Sequence, residues 1–249
     1  KTRRSGASER VACKTLLSGA SERDVQKMAR ECDIALRASQ SCTGAVRTYG
    51  CVHIQGSLYL VMKLYERGDF ARLLEQRGPL RLSEALGFGL QICIALTELH
   101  FAGIVVRDLK PSNLLVDADE KLVISDFGIA RLLDTVTSSA TTTTGRAGTA
   151  QYMSPEQFDA ELAVGPQTDL WSLGVVMYEC LSGKKPFAQG VTDHWKILNQ
   201  VVSTDQLPQS LIEATDCVIT KGMCDFVERA IEKDFSQRYQ SASAMAEDL

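Results

Sequence analysis

Asp108, Lys110, Asn113 and Asp126 are the side chains whose types and spacing carry the most chemistry in this sequence. They lie in the runs Val106-Arg107-Asp108-Leu109-Lys110-Pro111-Ser112-Asn113 and Asp126-Phe127-Gly128, and Asp126 follows Asn113 by thirteen residues. A carboxylate, an ammonium two residues later, an amide three beyond that and a second carboxylate are groups that could together handle a phosphate, its metal ion and an attacking hydroxyl. Asp108 would accept the proton of an attacking hydroxyl, and Lys110 would offset charge on the transferring phosphate. Asn113 and Asp126 offer the hard oxygen donors that magnesium prefers. Phosphoryl transfer asks for alignment and charge neutralisation more than for covalent help, and each of these groups has such a task. Alone, each Asp or Asn is an ordinary turn residue. The spacing is the signal.

Short strands and one helix are expected before residue 63, and mostly helix after it. Val11-Ala12-Cys13 reads as a strand ending at Lys14. From Ser21 to Arg37, Val25, Met28, Ala29, Cys32, Ala35 and Leu36 fall in a helical stripe, with Ser21 as N-cap and Glu22 and Asp24 in the first turn. Ala45–Val52 and Leu58–Met62 follow as strands around the polar turn Gln55-Gly56-Ser57. Lys63–Gly68 is a short connector. Leu86, Leu90, Cys93, Leu96 and Leu99 mark a long buried helix stopped by Gly103. Leu114–Val116 and Leu122–Ile124 are short strands, residues 134–149 a Thr- and Ser-rich mobile loop, and Leu170–Leu181 a central apolar helix.

These motifs resemble the catalytic domain of the eukaryotic-type serine/threonine protein kinases. The resemblance implies an α+β, bilobal fold with a small, mostly β first lobe and a large helical second lobe. Residues 1–66 would form the first lobe and hinge, and residues 67–249 the second. Val11-Ala12-Cys13-Lys14 is similar to the strand whose lysine contacts the α- and β-phosphates, and Glu31 fits its helix partner. Leu60-Val61-Met62-Lys63-Leu64-Tyr65 resembles the adenine-binding segment. Met62 would be the gatekeeper, backbone groups near Lys63 and Tyr65 would bond adenine, Asp69 would meet the ribose, and Leu115 would pack under the base. Gly148 to Glu156 resembles the segment that receives a peptide. Asp169-Leu170-Trp171-Ser172-Leu173-Gly174 resembles the start of the central helix, and Arg238 would pair with buried Glu156. Lys110 with Thr149 implies Ser or Thr as acceptor. ATP and Mg2+ are the implied cofactors, with Mn2+ as the substitute ion, and proteins are the implied substrates. Arg107 would receive a phosphate carried by Thr135, Thr137, Ser138, Ser139, Thr141, Thr142, Thr143 or Thr144.

Three departures favour an alternative, a pseudokinase acting as a binding or scaffolding module. Val106 stands where the family has His, removing a side-chain hydrogen bond near the Asp126 loop. Ala35 and Thr48 join Phe127 and Val106 in a column that is apolar in the family. The glycine-rich phosphate loop is absent, so the chain is expected to be a domain cut within its second strand. Intact Lys14, Glu31, Asp108, Asn113 and Asp126 weigh the other way. Residues 148–156 argue against a small-molecule kinase.

Charge and composition set further bounds. The formal charge of −4 and pI near 5.5 argue against nucleic acid as the main partner. Polar residues interrupt the longest apolar run, Leu86 to Val106, so no membrane span is expected. The eight cysteines contain no Cys-x-x-Cys pair, which argues against zinc. Cys13, Cys93 and Cys180 sit in apolar stretches and are expected as buried free thiols, which fits an intracellular setting, the cytoplasm or the cytoplasmic part of a larger protein.

Overall fold

The computed structural model describes residues 10–16, 21–127, 147–159, 162–187, 190–191, 193–203, 208–215 and 218–249. The first part is a three-stranded antiparallel sheet, ordered β1 (Val11–Thr15), β3 (Ser57–Lys63), β2 (Thr48–Ile54). Gln55 and Gly56 both have positive φ, 50° and 80°, which matches the right-handed twist of the hairpin they close. Strand β1 pairs with β3 so that Cys13 faces Val61 and Lys14 faces Leu60. Successive side chains leave a strand on opposite faces, so Lys14 turns inward and Cys13 outward. Cys13 is therefore an exposed thiol, against expectation, while Cys93 and Cys180 are buried. The apolar neighbours of Cys13 lie along the chain and not across the strand.

Helix α1 (Glu22–Ser41) covers the sheet. Ser21 and Asp24 form a reciprocal capping box, and the hydrogen bonds from Ser21 hold the Asp24 carboxyl below its ordinary pKa. Met28, Cys32, Ala35 and Ala38 are buried on one face. Val25 stays exposed, because the sheet contacts a narrower stripe than the sequence displays. The ladder of β2 begins at Thr48. Ala45, expected in that strand, bridges Ile124 in the other half of the molecule instead.

The larger part is helical: α2 (Phe70–Arg77), α3 (Leu82–Phe101), α4 (Ala147–Ala150), α5 (Pro166–Ser182), α6 (His194–Val202), α7 (Leu211–Ala214), α8 (Lys221–Ala230) and α9 (Ala242–Glu247). A hairpin, β4 (Leu114–Val116) with β5 (Leu122–Ile124), lies between α3 and α4. Helix α3 is long and apolar enough to cross a membrane, but its inner face packs on α5, α9 and β5 as a core helix. Leu90, expected in that core, is 43% exposed on the outer face. Gly103, at φ 72°, ends the helix.

Helix α5 is the hub. Pro166 opens it, Gly183 in the left-handed conformation closes it, and nearly every residue from Thr168 to Ser182 is buried. At Gly174 a Cβ atom would lie 2.6 Å from Ala230 Cβ, so the crossing of α5 and α8 depends on the missing side chain. Of the expected loop 134–149, residues 147–149 belong to α4. Residues 134–146, with the Thr and Ser candidates for phosphorylation, lie outside the described residues, as does Gly128.

Candidate active site

Asp169, in the first turn of α5, organises the loop that carries Asp108. Its carboxylate accepts the backbone N–H groups of Val106 and Arg107 at 2.9 and 2.7 Å, and faces His100 Nε2 at 2.8 Å. Arg107 adopts φ 64°, a left-handed conformation that L side chains resist, and Gln157 Nε2 donates to its carbonyl at 2.7 Å. The backbone on both sides of the strained residue is thus held. Val106 is fully buried, so the residue at the position of the family's His fills core space.

Asp108 then meets its neighbours. Lys110 Nζ lies 3.0 Å from Asp108 Oδ2 and 3.0 Å from Thr149 Oγ1. Asn113 Nδ2 donates to the Asp108 carbonyl at 2.9 Å and to Oδ2 at 3.0 Å. The Asn113 carbonyl accepts from Ser125 N and Oγ at 2.8 and 2.9 Å, which ties Asn113 to the residue preceding Asp126. Asp126 has φ 56°, and Phe127 beside it is buried.

Lys14 Nζ closes the set, at 2.5 Å from Glu31 Oε1 and 2.6 Å from Asp126 Oδ1. Burial would lower the Lys14 pKa, but the charges and hydrogen bonds of Asp126 and Glu31 outweigh it and raise the value. Lys14, Glu31, Asp108, Lys110, Asn113, Asp126 and Thr149 therefore form one connected region, drawn from β1, α1, the Asp108 loop, the β5 end and α4. Among the described residues there is no cluster of three or more His, Cys, Asp or Glu side chains that could hold a metal alone. The side-chain oxygens of Asn113 and Asp126 are of the hard donor type that suits magnesium.

The hinge candidates run from the end of β3, which holds Met62 and Lys63, into the connector at Tyr65, with Asp69 at the start of α2 and Leu115 on β4. Met62 is buried, and the Lys63 N–H is taken by the Arg47 carbonyl at 2.9 Å. The Tyr65 carbonyl receives Gly68 N–H at 3.2 Å, and its hydroxyl accepts Arg47 N–H at 3.4 Å. Asp69 bridges Leu115 and caps α2 by accepting Arg72 N–H at 2.9 Å. Thr48, in the column expected to be apolar, satisfies its polar groups locally with Ser39 and Val46.

Below the site, Arg238 forms a two-pronged ion pair with Glu156 at 2.8 and 2.9 Å, and Thr168 Oγ1 donates to the same carboxylate. Burial would raise the Glu156 pKa, but Arg238 more than reverses it and holds the carboxyl below its ordinary value. Asp169, His100 and Gln157 were not among the expected site residues, yet they hold the Asp108 loop. Asp169 could have been found from its place just inside the Pro166 helix start. Gln157 carries no local mark.

The chain matches the protein kinase domain family over residues 1–249 and belongs to it. It is 34% identical to a probable serine/threonine-protein kinase, CE0033, of Corynebacterium efficiens over 77% of this chain and 29% of that protein. It is 34% identical to the serine/threonine-protein kinase PknB of Mycobacterium tuberculosis over 77% of this chain and 30% of that protein. With the serine/threonine-protein kinase RUNKEL of Arabidopsis thaliana it shares 30% identity over 97% of this chain and 16% of that protein. The chain thus spans a third or less of the length of these relatives.

Proposed function

We propose that this chain is a serine/threonine protein kinase domain that transfers the γ-phosphoryl group of ATP to Ser or Thr hydroxyls of proteins. One observation carries the reading: Lys110 Nζ is 3.0 Å from both Asp108 Oδ2 and Thr149 Oγ1. A cation set between a carboxylate and a hydroxyl wall suits an acceptor hydroxyl arriving beside a phosphate. Asp108 orients that hydroxyl and takes its proton, and Lys110 offsets the charge of the phosphoryl group. Lys14, fixed by Glu31, binds the α- and β-phosphates. Asn113 and Asp126 would hold Mg2+, or Mn2+ in its place, which would supply neutralisation of phosphate charge.

Residues 1–66 serve as first lobe and hinge, and 67–249 as second lobe. Met62, Lys63, Tyr65, Asp69 and Leu115 form the nucleoside side of the cleft. Asp69 does so with the carboxylate oxygen that is not capping α2. Arg107 awaits a phosphorylated Thr or Ser from 135–144. Its Nε is buried with no hydrogen-bond partner among the described residues. The free cysteines among the described residues fit residence in a reducing compartment. A non-catalytic scaffold would not need five ionic and amide groups converging from separate elements.

The test is phosphate transfer from radiolabelled ATP with magnesium to Ser, Thr and Tyr peptides. Transfer confined to Ser and Thr peptides is expected, and Asp108→Asn lowers it at least about a hundredfold without loss of fold. Wild-type transfer by that variant would sink the assignment.

A further inference from the structure

Tyr152 fastens the segment beside Thr149 to the helical core. Its N–H closes a turn on the Thr149 carbonyl at 3.1 Å, and its own carbonyl accepts Ser172 Oγ at 2.8 Å. The phenol is buried and donates to Glu179 Oε2 at 2.5 Å. Burial, and then the Glu179 charge, push the Tyr152 pKa up, so the phenol remains a donor at any working pH. The other Glu179 oxygen lies 3.2 Å from Lys185 Nζ, and that same nitrogen stands 5.5 Å from the centre of the Tyr152 ring. One cation therefore meets both partners of the hydrogen bond, neutralising the acceptor and facing the π-system of the donor.

The loop around Lys185 is fixed on both sides. Gly183 at φ 68° ends α5, and a Cβ there would crowd Pro79 Cγ at 3.1 Å. Ser182 Oγ bonds the Tyr178 carbonyl at 2.7 Å and accepts Lys184 N–H at 3.1 Å. Phe187 stacks on Trp171 with centroids 5.5 Å apart and rings 5° from parallel. Lys185 sits between these anchors on a short length of chain.

We propose that Lys185 is a positioning residue for the acceptor peptide, acting through Glu179 and Tyr152 on the segment that bears Thr149. The inference rests on the kinase reading above. Without the ammonium, the Glu179 carboxylate is a poorly solvated charge with no cation among the described residues, and it turns toward water. The Tyr152 hydrogen bond then loses its fixed direction, and the wall from Thr149 to Met153 loosens. Lys185 meets Glu179 and the Tyr152 ring and not Asp108 or Lys110, so the loss falls on peptide binding and not on the chemical step.

Steady-state kinetics on wild type, Lys185→Met and Lys185→Arg test this, using a Ser peptide selected from an array. Lys185→Met should raise the peptide KM about tenfold while kcat and the KM for ATP stay within about twofold. Lys185→Arg should restore most of the loss. In a Tyr152→Phe background, Lys185→Met should add little, because the bond it supports is gone. Lys185→Gln, with melting temperatures recorded, gives the same comparison if Met lowers stability too far. An unchanged peptide KM, a fall in kcat alone, or full additivity with Tyr152→Phe would overturn the proposal. A wild-type chain that transfers no phosphate overturns the kinase reading and this inference with it. Transfer by wild type with an unmoved KM overturns this inference alone.

Discussion

Asp169 accepts the Arg107 N–H at 2.7 Å while Arg107 is held at φ 64°. The strained residue lies immediately before Asp108, so a buried carboxylate on α5 sets the direction of the candidate base. Asp169→Asn retains one acceptor oxygen but points an NH2 group at another donor. We expect phosphate transfer to fall about a hundredfold, since misplacement of about 1 Å has effects of that size. Stability should drop by about 1–3 kcal/mol, the cost of leaving a buried donor unsatisfied. Activity and urea unfolding measured together check both numbers.

Lys14→Met should reduce transfer at least about a hundredfold with the fold retained. The variant frees Asp126 and Glu31 from their shared cation and leaves two carboxylates facing each other. Circular dichroism and a radiolabelled-ATP assay are the measurements. Near-wild-type turnover would rule out the phosphate-clamp role.

Arg238→Met should cost about 3–5 kcal/mol at neutral pH, the usual loss when a buried pair is broken from one side. The pH dependence has a definite sign. In wild type the Glu156 pKa is depressed, so its stabilisation is present above the ordinary value of 4.5 and lost as pH falls through the lower folded value. In Arg238→Met burial dominates and raises that pKa, so the deficit relative to wild type shrinks on acidification. Urea melts at pH 7 and pH 5 would show this. A deficit that grows at pH 5 would contradict it.

Gly174→Ala should destabilise by about 1–3 kcal/mol through overpacking. The added Cβ would lie 2.6 Å from Ala230 Cβ and 2.9 Å from Ile231 Cγ2. Ala230→Gly in the same chain should recover part of the loss. A melting temperature unchanged by Gly174→Ala would mean that α5 and α8 separate easily.

Phosphate should be found by mass spectrometry on at least one of Thr135, Thr137, Ser138, Ser139 and Thr141–Thr144 in active protein. Replacing all of them by Ala should lower activity, because Arg107 then gains no anionic partner. Full activity of that variant would remove the idea.

Asp108, Lys110, Asn113 and Asp126 were legible because a loop and a hairpin fix them at short sequence offsets. Lys14 and Glu31, 17 residues apart, were legible once a strand and a helical stripe had been placed on either side. Cys13 and Leu90 misled because local apolar context says nothing about which face of a strand or helix points inward. Ala45 misled for a different reason: its β-type conformation is real, but its partner is Ile124 and not the neighbouring strand. Glu179 and Lys185 had no signature at all. A helical glutamate and a loop lysine acquire meaning only when tertiary packing brings Tyr152 between them.

The Ala45 bridge has a mechanical meaning. Val46 N–H meets the Ile124 carbonyl at 2.8 Å, Ile124 N–H meets the Gly44 carbonyl at 2.7 Å, and a Cβ at Gly44 would collide with Ala95 Cβ at 2.5 Å. The C-terminal end of α1 is therefore anchored to the helical half, so any tilt of α1 would pivot near that end. Glu31 lies about 15 Å along the helix from Ser41, so a tilt of about 10° displaces it by roughly 2.5 Å. That is the reach of one salt bridge. A rotation of that size would be enough to separate Glu31 from Lys14 without any sliding of the sheet.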